Sequence, residues 1–256
     1  MSYSLKSRFS AAGIHLTLSL AVSALAAWLV FSLWYPYPYR EISGGRDLFF
    51  IVVAVDVIMG PLLTFTVFSR SKPVGELRRD LAIIGFLQLA ALVYGLWTVS
   101  IARPVHLAFE IDRFRVVHAI EIPKDEINKA PPGLQRLPWT GPSLLSVREF
   151  TSQKEGFEAT IAAINGFPLG ARPELWQSYE KAKLQILNVA KPASDLKQRF
   201  PAQANMIDAA LKSALGGNAP SRAVGYVPLV GRDKFWTVLL DLNSTEVIAF
   251  VPIDSF

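Results

Sequence analysis

One acidic residue stands inside an otherwise uncharged apolar stretch of this sequence. Asp56 is the only charged residue in the segment 48–68, LFFIVVAVDVIMGPLLTFTVF. A charge at the centre of a lipid bilayer costs about 2.5–3.5 kcal/mol even on a lenient insertion scale, so an ionisable group there is a functional hypothesis by default. Gly60 and Thr64 follow Asp56 at spacings of four and extend a small, polar stripe along one helix face. We interpret Asp56 either as a group that hydrogen-bonds inside a helix bundle or as one that contacts a partner's transmembrane helix.

Similar stripes occur in two other apolar segments. Their members are Gln88, Ala91, Gly95 and Thr98 in one segment and Ser19, Ser23 and Ala27 in the other. The pair Gly60-Pro61 is expected to loosen its helix and free backbone carbonyls. At a rise of 1.5 Å per residue, Asp56 is expected to miss Gln88 by about 8 Å in depth and His15 by about 12 Å. We therefore expect neither an Asp56–His15 relay nor proton or ion transport, for which one acid offers too few pathway groups.

These stripes lie on three segments long enough to cross a membrane. The segments are residues 11–34, 48–68 and 81–101, and a helix needs about 20 apolar residues to span hydrocarbon. The triplet Ala24-Leu25-Ala26 resembles a signal-peptide cleavage site, but the apolar run continues well beyond it. The sequence therefore predicts a retained anchor, a three-span transmembrane domain over residues 1–101 and a C-terminal domain over residues 102–256.

Composition supports a membrane protein and excludes several other classes. Of 256 residues, 51% are hydrophobic and 18% charged, and the mean hydropathy is +0.31, which excludes a disordered chain or a highly charged soluble protein. The sequence contains no cysteine and three histidines. Disulfides and thiolate chemistry are thereby excluded, and we expect no metal site and no cofactor.

The distribution of basic residues predicts the orientation. They concentrate in the N-terminal tail and the second loop, as Lys6, Arg8, Arg70, Lys72, Arg78 and Arg79, whereas the first loop holds Arg40 and Arg46. Lysine and arginine mark cytoplasmic segments, so the N-terminus should be cytoplasmic and the C-terminal domain periplasmic. The net charge of +5 is thus largely a topology signal, and because the charges of the C-terminal domain are interspersed we expect no nucleic-acid partner.

The C-terminal domain alternates between strand-like and helix-like periodicity. Strand patterns occupy residues 105–110, 115–122, 144–150, 223–230, 234–242 and 246–252, and helical patterns occupy residues 153–165, 173–190 and 201–215. A proline-rich connector covers residues 131–142. This order predicts an α+β domain in which helices cover one side of an antiparallel sheet.

The first loop is rich in aromatic residues and proline. Residues 34–47 read WYPYPYREISGGRD. Trp34, Tyr35, Tyr37 and Tyr39 are typical of the aromatic belt at a membrane interface. A stiff aromatic loop would also suit protein recognition.

Short motifs in a fixed order carry a family resemblance over about residues 30–120. They are Trp34-Tyr35-Pro36 with Pro38, Gly44-Gly45, Val55-Asp56-Val57, Gly60-Pro61-Leu62-Leu63-Thr64, Gln88, Ala91-Leu92-Val93-Tyr94-Gly95, Ala102-Arg103-Pro104-Val105, Phe109-Glu110 and Asp112-Arg113-Phe114. This pattern resembles the TfpX/TfpZ family of type IV pilin accessory proteins. The C-terminal domain has the corresponding size and position but few such motifs.

The resemblance implies an inner-membrane protein of Gram-negative bacteria that acts as a pilin-specific assembly chaperone. Its partners would be a type IV major pilin, the lipid bilayer and other pilus-assembly proteins. A pilin has a long apolar N-terminal helix with an acidic residue and a globular domain outside the membrane, which a helix bundle and an outer domain could hold. The candidate contact or bundle-packing residues are Trp34, Tyr35, Pro36, Asp56, Gly60, Pro61, Gln88, Gly95 and Arg103.

Two other function classes are weighed against this one. A membrane-anchored periplasmic sensor or ligand-binding module would fit the outer domain, but the inner loop is too short for a cytoplasmic output domain. A membrane enzyme would need a catalytic motif. The sequence has no G-x-S-x-G, H-E-x-x-H or Walker pattern, so we expect no catalytic residues and no enzyme activity.

Overall fold

The computed structural model describes residues 2–216 and 222–256. The chain divides into two compact units. One is helical and contains residues 1–40 and 44–102, and the other contains residues 41–43 and 103–256. The second unit thus takes in three residues of the first loop.

Three long helices form the helical unit, and two of them contain a π-helical turn. The first is α1 (Ser2–Leu29) with a π turn at Val30–Trp34; the second is α3 (Gly45–Ala54), a π turn (Val55–Met59) and α4 (Gly60–Val67); the third is α5 (Val74–Ile101). A short helix, α2 (Tyr39–Ile42), lies in the first loop. The segments Leu5–Trp34, Gly45–Val67 and Val74–Ile101 are long and apolar enough to cross a membrane.

The long helices extend beyond the apolar runs that predict them. The first and third begin several residues before the predicted spans, at Ser2 and Val74. The added turns contain charged residues such as Arg8 and Arg79, which are good helix formers with long stems that reach away from apolar surroundings. Pro73 immediately precedes Val74 and sets the start of α5.

Aromatic and aliphatic side chains form the core at one end of the helical unit. The buried members of this cluster are Ala26, Val30, Trp34, Tyr35, Phe49 and Val99. Tyr35 is fully buried, and its hydroxyl donates a hydrogen bond to the Val99 carbonyl at 3.2 Å. Its ring lies where a Cβ on Gly45 would be, while Gly44 adopts a φ of +66° at the start of α3. The Gly44-Gly45 pair therefore permits both the turn and the aromatic packing.

A mixed sheet organises the second unit. Its strands are β1 (Pro104–Glu110), β2 (Arg113–His118), β3 (Ser143–Val147), β4 (Trp176–Ser178), β5 (Lys191–Pro192), β6 (Val224–Val230), β7 (Phe235–Asp241) and β8 (Val247–Val251). The order is β4-β3-β1-β2-β6-β7-β8, and β5 pairs with β6. All residues of β1 are buried, so both faces of the sheet are covered at its centre. The sequence instead predicts that helices cover one face.

The prediction of an antiparallel sheet is wrong for two strand pairs. β1 and β3 are parallel, as are β2 and β6, whereas the hairpins β1–β2, β6–β7 and β7–β8 are antiparallel. Short turns force adjacent strands to run antiparallel, but a strand that returns after a long connection can pair in either direction. Side-chain alternation along one strand contains no information on that direction.

Helices and single 3₁₀ turns occupy the connections of the second unit. The α-helices are α6 (Gln153–Ile164), α7 (Lys183–Val189), α8 (Ala193–Arg199) and α9 (Ala204–Leu215). The proline-rich connector contains turns and bends only. One cluster of buried residues contains Val105, Ala108, Val117, Leu145 and Trp176, and a second contains Leu196, Ile207, Tyr226, Leu239 and Val251.

The single helix predicted over residues 173–190 is wrong. The chain instead forms a 3₁₀ turn at Pro173–Leu175, then β4, a 3₁₀ turn at Tyr179–Ala182 and α7. Trp176 pairs with Val147 at the outer edge of β3 and is buried. Pairing with that edge and burial of a large aromatic ring outweigh the helical spacing of the neighbouring apolar residues.

Candidate functional site

A cleft of about 520 Å³ lies within the helical unit. It is lined by Ala11, Ile14, His15, Leu18, Ser19, Val22, Asp56, Thr64, Phe68, Leu81, Gly85, Gln88, Leu89 and Leu92. The lining is mostly apolar, with a few polar groups that converge from all three long helices. This composition is typical of a binding site, in which apolar walls supply area and sparse polar groups supply orientation.

Asp56 lies in the π-helical turn of the second long helix and lines the cleft. Its side chain is 6% exposed. Within the part of the chain that the structure describes, Oδ1 has no hydrogen-bond partner. A π turn is energetically unfavourable and commonly marks a functional position, and here it holds an acid against apolar surroundings.

Gln88 reaches across from α5 to the backbone of Asp56. Its Nε2 donates a hydrogen bond to the Asp56 carbonyl at 3.2 Å. In a π turn each N–H bonds the carbonyl five residues earlier, and Pro61 has no N–H to give to that carbonyl. Gln88 therefore satisfies the acceptor that Pro61 leaves open. The expected 8 Å separation in depth is wrong, and the freed carbonyl is used inside the bundle.

His15 also meets the second long helix. Its Nδ1 lies 2.5 Å from the Thr64 hydroxyl, and both His15 and Asp56 line the cleft. Thr64 lies eight residues from Asp56, about 12 Å along the same helix. The contact therefore places the His15 ring at the level of Thr64, and the separation of about 12 Å from Asp56 stays a prediction.

Two glycines allow the helices to approach closely. A Cβ on Gly60 would overlap the Gln88 amide, and one on Gly95 would overlap Val52. Both glycines are buried. Close approach at small residues is the common way in which membrane helices gain van der Waals contact.

The first-loop residues separate into buried and exposed groups. Trp34 is 7% exposed and belongs with Tyr35 to the core of the helical unit, so the interfacial belt expected for these two residues is wrong. The π turn directs the chain inward, since the Tyr35 N–H bonds the Val30 carbonyl. Tyr37 is exposed, with the Arg40 guanidinium 5.6 Å from its ring centroid.

Pro36 and Arg103 each organise a turn or connector. The Pro36 carbonyl accepts a hydrogen bond from the Tyr39 N–H at 2.8 Å. Arg103 belongs to the second unit and is 8% exposed. Its Nη2 donates to the Pro138 carbonyl at 3.3 Å, and its guanidinium lies 4.9 Å from the Trp139 ring centroid. Arg103 thus holds the proline-rich connector and lies outside the cleft.

A buried carboxylate that sequence reasoning did not single out supports the second unit. Glu110 is 5% exposed; its Oε1 accepts the Gly170 N–H at 2.5 Å and its Oε2 accepts from Arg115 at 3.1 Å. The Trp176 indole donates to the Gly170 carbonyl at 2.8 Å. The signal in the sequence is an acid that ends the apolar run of β1, within the motif Phe109-Glu110.

Both histidines of the second unit are structural. His106 Nδ1 lies 2.9 Å from the Ser143 hydroxyl, its ring meets Trp176 edge-on, and burial lowers the pKa of His106 to about 4. His118 Nδ1 lies 3.2 Å from Glu121 Oε2. Across residues 2–216 and 222–256, no group of three or more His, Asp or Glu side chains could hold a metal ion.

Helix α6 presents large apolar side chains outward. We call Phe157, Ile161 and Ile164, with Phe167 three residues beyond the helix end, the α6 face; they are 68%, 43%, 76% and 55% exposed. The small Ala159 faces inward and is fully buried. Exposed apolar faces are frequent at protein–protein contacts, so the α6 face is a candidate contact surface.

Polar contacts fix the N-terminus of α6. Ser152 Oγ accepts the Glu155 N–H at 3.1 Å as an N-cap, and Glu155 Oε2 accepts the N–H of Thr151, the residue before the cap, at 2.6 Å. A hydrogen bond from Arg148, followed by those from Thr151, lowers the pKa of Glu155 to about 2. The apolar face therefore lies on a well-anchored helix.

Comparison with known proteins gives consistent matches. The family model of fimbrial assembly protein FimB matches residues 3–44. The fimbrial assembly protein of serogroup I from Dichelobacter nodosus is 38% identical over 247 residues, covering 95% of this chain and 94% of that protein. The serogroup E1 protein of the same organism is 36% identical over 246 residues, covering 95% and 94%. No solved structure matches. With relatives of this identity aligned along nearly their whole length, the chain belongs to the fimbrial assembly protein family.

Proposed function

We propose that this chain is an inner-membrane accessory protein that binds a specific type IV pilin and promotes its stability and assembly into pili. The observation that carries this proposal is the alignment with relatives named fimbrial assembly protein over 94% of their length. The resemblance to the TfpX/TfpZ accessory proteins in the motifs between residues 30 and 120 supports the pilin-specific role.

The proposed topology has three transmembrane helices, a cytoplasmic N-terminus and a periplasmic C-terminal domain. Three apolar helices of sufficient length support the membrane part. The positive-inside distribution, with Lys6 and Arg8 before the first span and Arg78 and Arg79 after the second, supports the orientation. A periplasm-active reporter fused after residue 256 should be active, and activity of a cytoplasmic reporter at the same place would reverse the orientation.

The two units fit the two parts of a pilin. An apolar pilin helix awaiting assembly needs a surface that shields its polar groups in the bilayer, and the cleft in the helical unit supplies one. A globular pilin domain outside the membrane needs a protein surface, and the α6 face supplies exposed apolar area for it. We propose that the protein acts on the pilin by binding alone, without catalysing a reaction and without a cofactor.

The test is deletion of the gene in a strain whose native pilin gene is intact. Surface pili are counted by electron microscopy and cellular pilin is measured by immunoblot. We expect the deletion to remove most surface pili and lower the pilin level, and expression of this chain from a plasmid to restore both. Normal piliation together with a normal pilin level in the deletion strain would contradict the proposal.

Pilin specificity is tested by exchanging the pilin. A strain that lacks both this gene and its native pilin gene receives either its own pilin gene or that of a strain with a different pilin, each with and without this chain. We expect this chain to restore piliation with its own pilin only. Equal rescue of both pilins would contradict specificity while leaving the assembly role intact.

A further inference from the structure

The cleft of the helical unit contains a polar atom that internal packing leaves unsatisfied. Asp56 is 6% exposed, so 94% of it is buried. Its Oδ1 has no hydrogen-bond partner among the described residues. A buried acceptor without a donor is costly, and more so where the surroundings have a low dielectric constant. The side-chain amide of Gln88, which also lines the cleft, donates to the Asp56 backbone carbonyl. The unsatisfied oxygen therefore points to a donor from another molecule.

Other polar groups of the cleft do not supply that donor. His15 is the other titratable residue in the lining, and its Nδ1 is engaged with the Thr64 hydroxyl. No arginine or lysine is among the lining residues of the cleft as described. A carboxyl oxygen accepts hydrogen bonds whether the group is ionised or protonated. The cleft is thus complementary to a group that donates a hydrogen bond.

The depth of Asp56 in the membrane limits which molecule can supply the hydrogen-bond donor. Asp56 lies about 16 Å from either end of its span, near the middle of a hydrocarbon core of about 30 Å. Lipid headgroups lie at the membrane surfaces and do not reach this level. A donor at mid-membrane depth is most readily supplied by a transmembrane helix.

The cleft is also open to such a helix. Ile14 and Leu18 on α1 are each 62% exposed, and Leu89 on α5 is 61% exposed, so its rim faces outward from the bundle. A volume of about 520 Å³ accommodates several side chains, within the range of about 300–1,000 Å³ typical of ligand pockets. Gly85 lines the cleft with open space around its Cα.

We propose that this cleft is a socket for a partner's transmembrane helix that carries a hydrogen-bond donor at mid-membrane depth, and that Asp56 Oδ1 accepts that hydrogen bond. Leu18 and Leu89 form the apolar rim against which the helix packs. The identification of the partner helix with that of the pilin rests on the proposed function.

The experiment uses the full chain in living cells that express the native pilin. A photo-crosslinking amino acid replaces Leu18 in the rim, and the same amino acid replaces Phe86, a control that is 71% exposed and lies outside the cleft lining. Crosslinked pilin is measured by immunoblot. We expect a pilin crosslink from position 18 that exceeds the one from position 86 by about fivefold, the scale of one interhelical contact.

Two pairs of variants test the socket itself. Gly85→Phe fills the cleft, whereas Gly13→Phe adds the same ring at another open position outside it. Asp56→Leu removes the acceptor, whereas Asp56→Asn keeps a carbonyl oxygen in the same place. We expect Gly85→Phe and Asp56→Leu to reduce the crosslink from position 18 by about fivefold. Gly13→Phe and Asp56→Asn should leave it within about twofold.

The outcomes separate the socket from the proposed function. Loss of the crosslink in Gly85→Phe and Asp56→Leu, with both proteins present at normal levels in the membrane, supports the socket. An unchanged crosslink in Gly85→Phe, or labelling of lipid alone from position 18, overturns it. If deletion abolishes piliation and position 18 still fails to label pilin, the socket is wrong and the assembly role stands. If deletion leaves piliation and pilin level normal, the proposed function fails independently of the crosslinks.

Discussion

The side-chain amide of Gln88 lies beside the backbone of Asp56 and donates a hydrogen bond to its carbonyl at 3.2 Å. This contact ties α5 to the π turn of the second long helix. It replaces the N–H that Pro61 lacks, and the missing Cβ of Gly60 leaves the space that the amide occupies. Gly60, Pro61 and Gln88 therefore act together to place Asp56 against the cleft.

Gly60→Ala should weaken the helical unit. The new Cβ would overlap the Gln88 amide, and overpacking of a tight contact costs about 1–3 kcal/mol. Thermal unfolding of the detergent-purified protein, followed by circular dichroism, should show a lower midpoint. Gly13→Ala is the matched control, because a Cβ at Gly13 meets no atom within 4 Å. Equal midpoints for the two variants would contradict the close approach.

Gln88→Leu should destabilise the same unit without adding volume at Gly60. The Asp56 carbonyl would lose its donor, and an interhelical hydrogen bond in a membrane protein is worth about 1 kcal/mol. The unfolding midpoint in detergent measures the loss. Thr98→Val is the control, since the Thr98 hydroxyl bonds only its own helix, at the Tyr94 carbonyl. A loss in Thr98→Val as large as in Gln88→Leu would show that the interhelical bond is not the cause.

Glu110→Ala should destabilise the second unit by about 2–3 kcal/mol, because the buried Gly170 N–H and Arg115 both lose their acceptor. Chemical unfolding followed by tryptophan fluorescence measures the change, and Trp176 in the same network reports it directly. Asp112→Ala, at an exposed ion pair of the same hairpin, should cost less than about 1 kcal/mol. A smaller effect at Glu110 than at Asp112 would be inconsistent with the network.

His106 should make the second unit less stable in mild acid. Burial lowers its pKa from 6.5 to about 4, so between these values the unfolded chain binds more protons and stability rises with pH. The stabilisation that neutral, buried His106 provides is fully present above pH 6.5. It is lost as the pH falls towards 4, by about 3 kcal/mol in total. Unfolding free energies measured across this range should slope upward in the wild type and less in His106→Gln. The same slope in both would argue against His106 as the titrating group.

Polar substitutions on the α6 face should reduce piliation without unfolding the protein. Phe157→Ser, Ile161→Ser and Ile164→Ser remove exposed apolar area, and surface changes of this kind alter stability by about 0.5 kcal/mol or less. Surface pili and protein level are measured in each strain. Leu184→Ser on α7 is the matched control, because Leu184 is as exposed as Ile164, at 76%. Normal piliation in all three variants would exclude the α6 face as the pilin contact.

Local sequence patterns were sufficient for several parts of the fold. The three apolar runs predict the three long helices, because apolar length is a property of the chain itself. The strands around the turn at Asn243-Ser244-Thr245 are adjacent in sequence, so their alternation and a short turn specify the β7–β8 hairpin. Helix α6 similarly follows from the helical pattern over residues 153–165.

Contacts between segments that are distant in sequence could not be predicted from local sequence patterns. The parallel pairing of β1 with β3, the extended conformation of Trp176 and the meeting of Gln88 with the Asp56 carbonyl each depend on segments distant in sequence. Depth along a span also depends on where each helix ends, and charged residues that continue a helix are invisible to a search for apolar runs. Periodicity reports which side of an element is buried, whereas its neighbour is selected by packing and hydrogen bonding among all the elements at once.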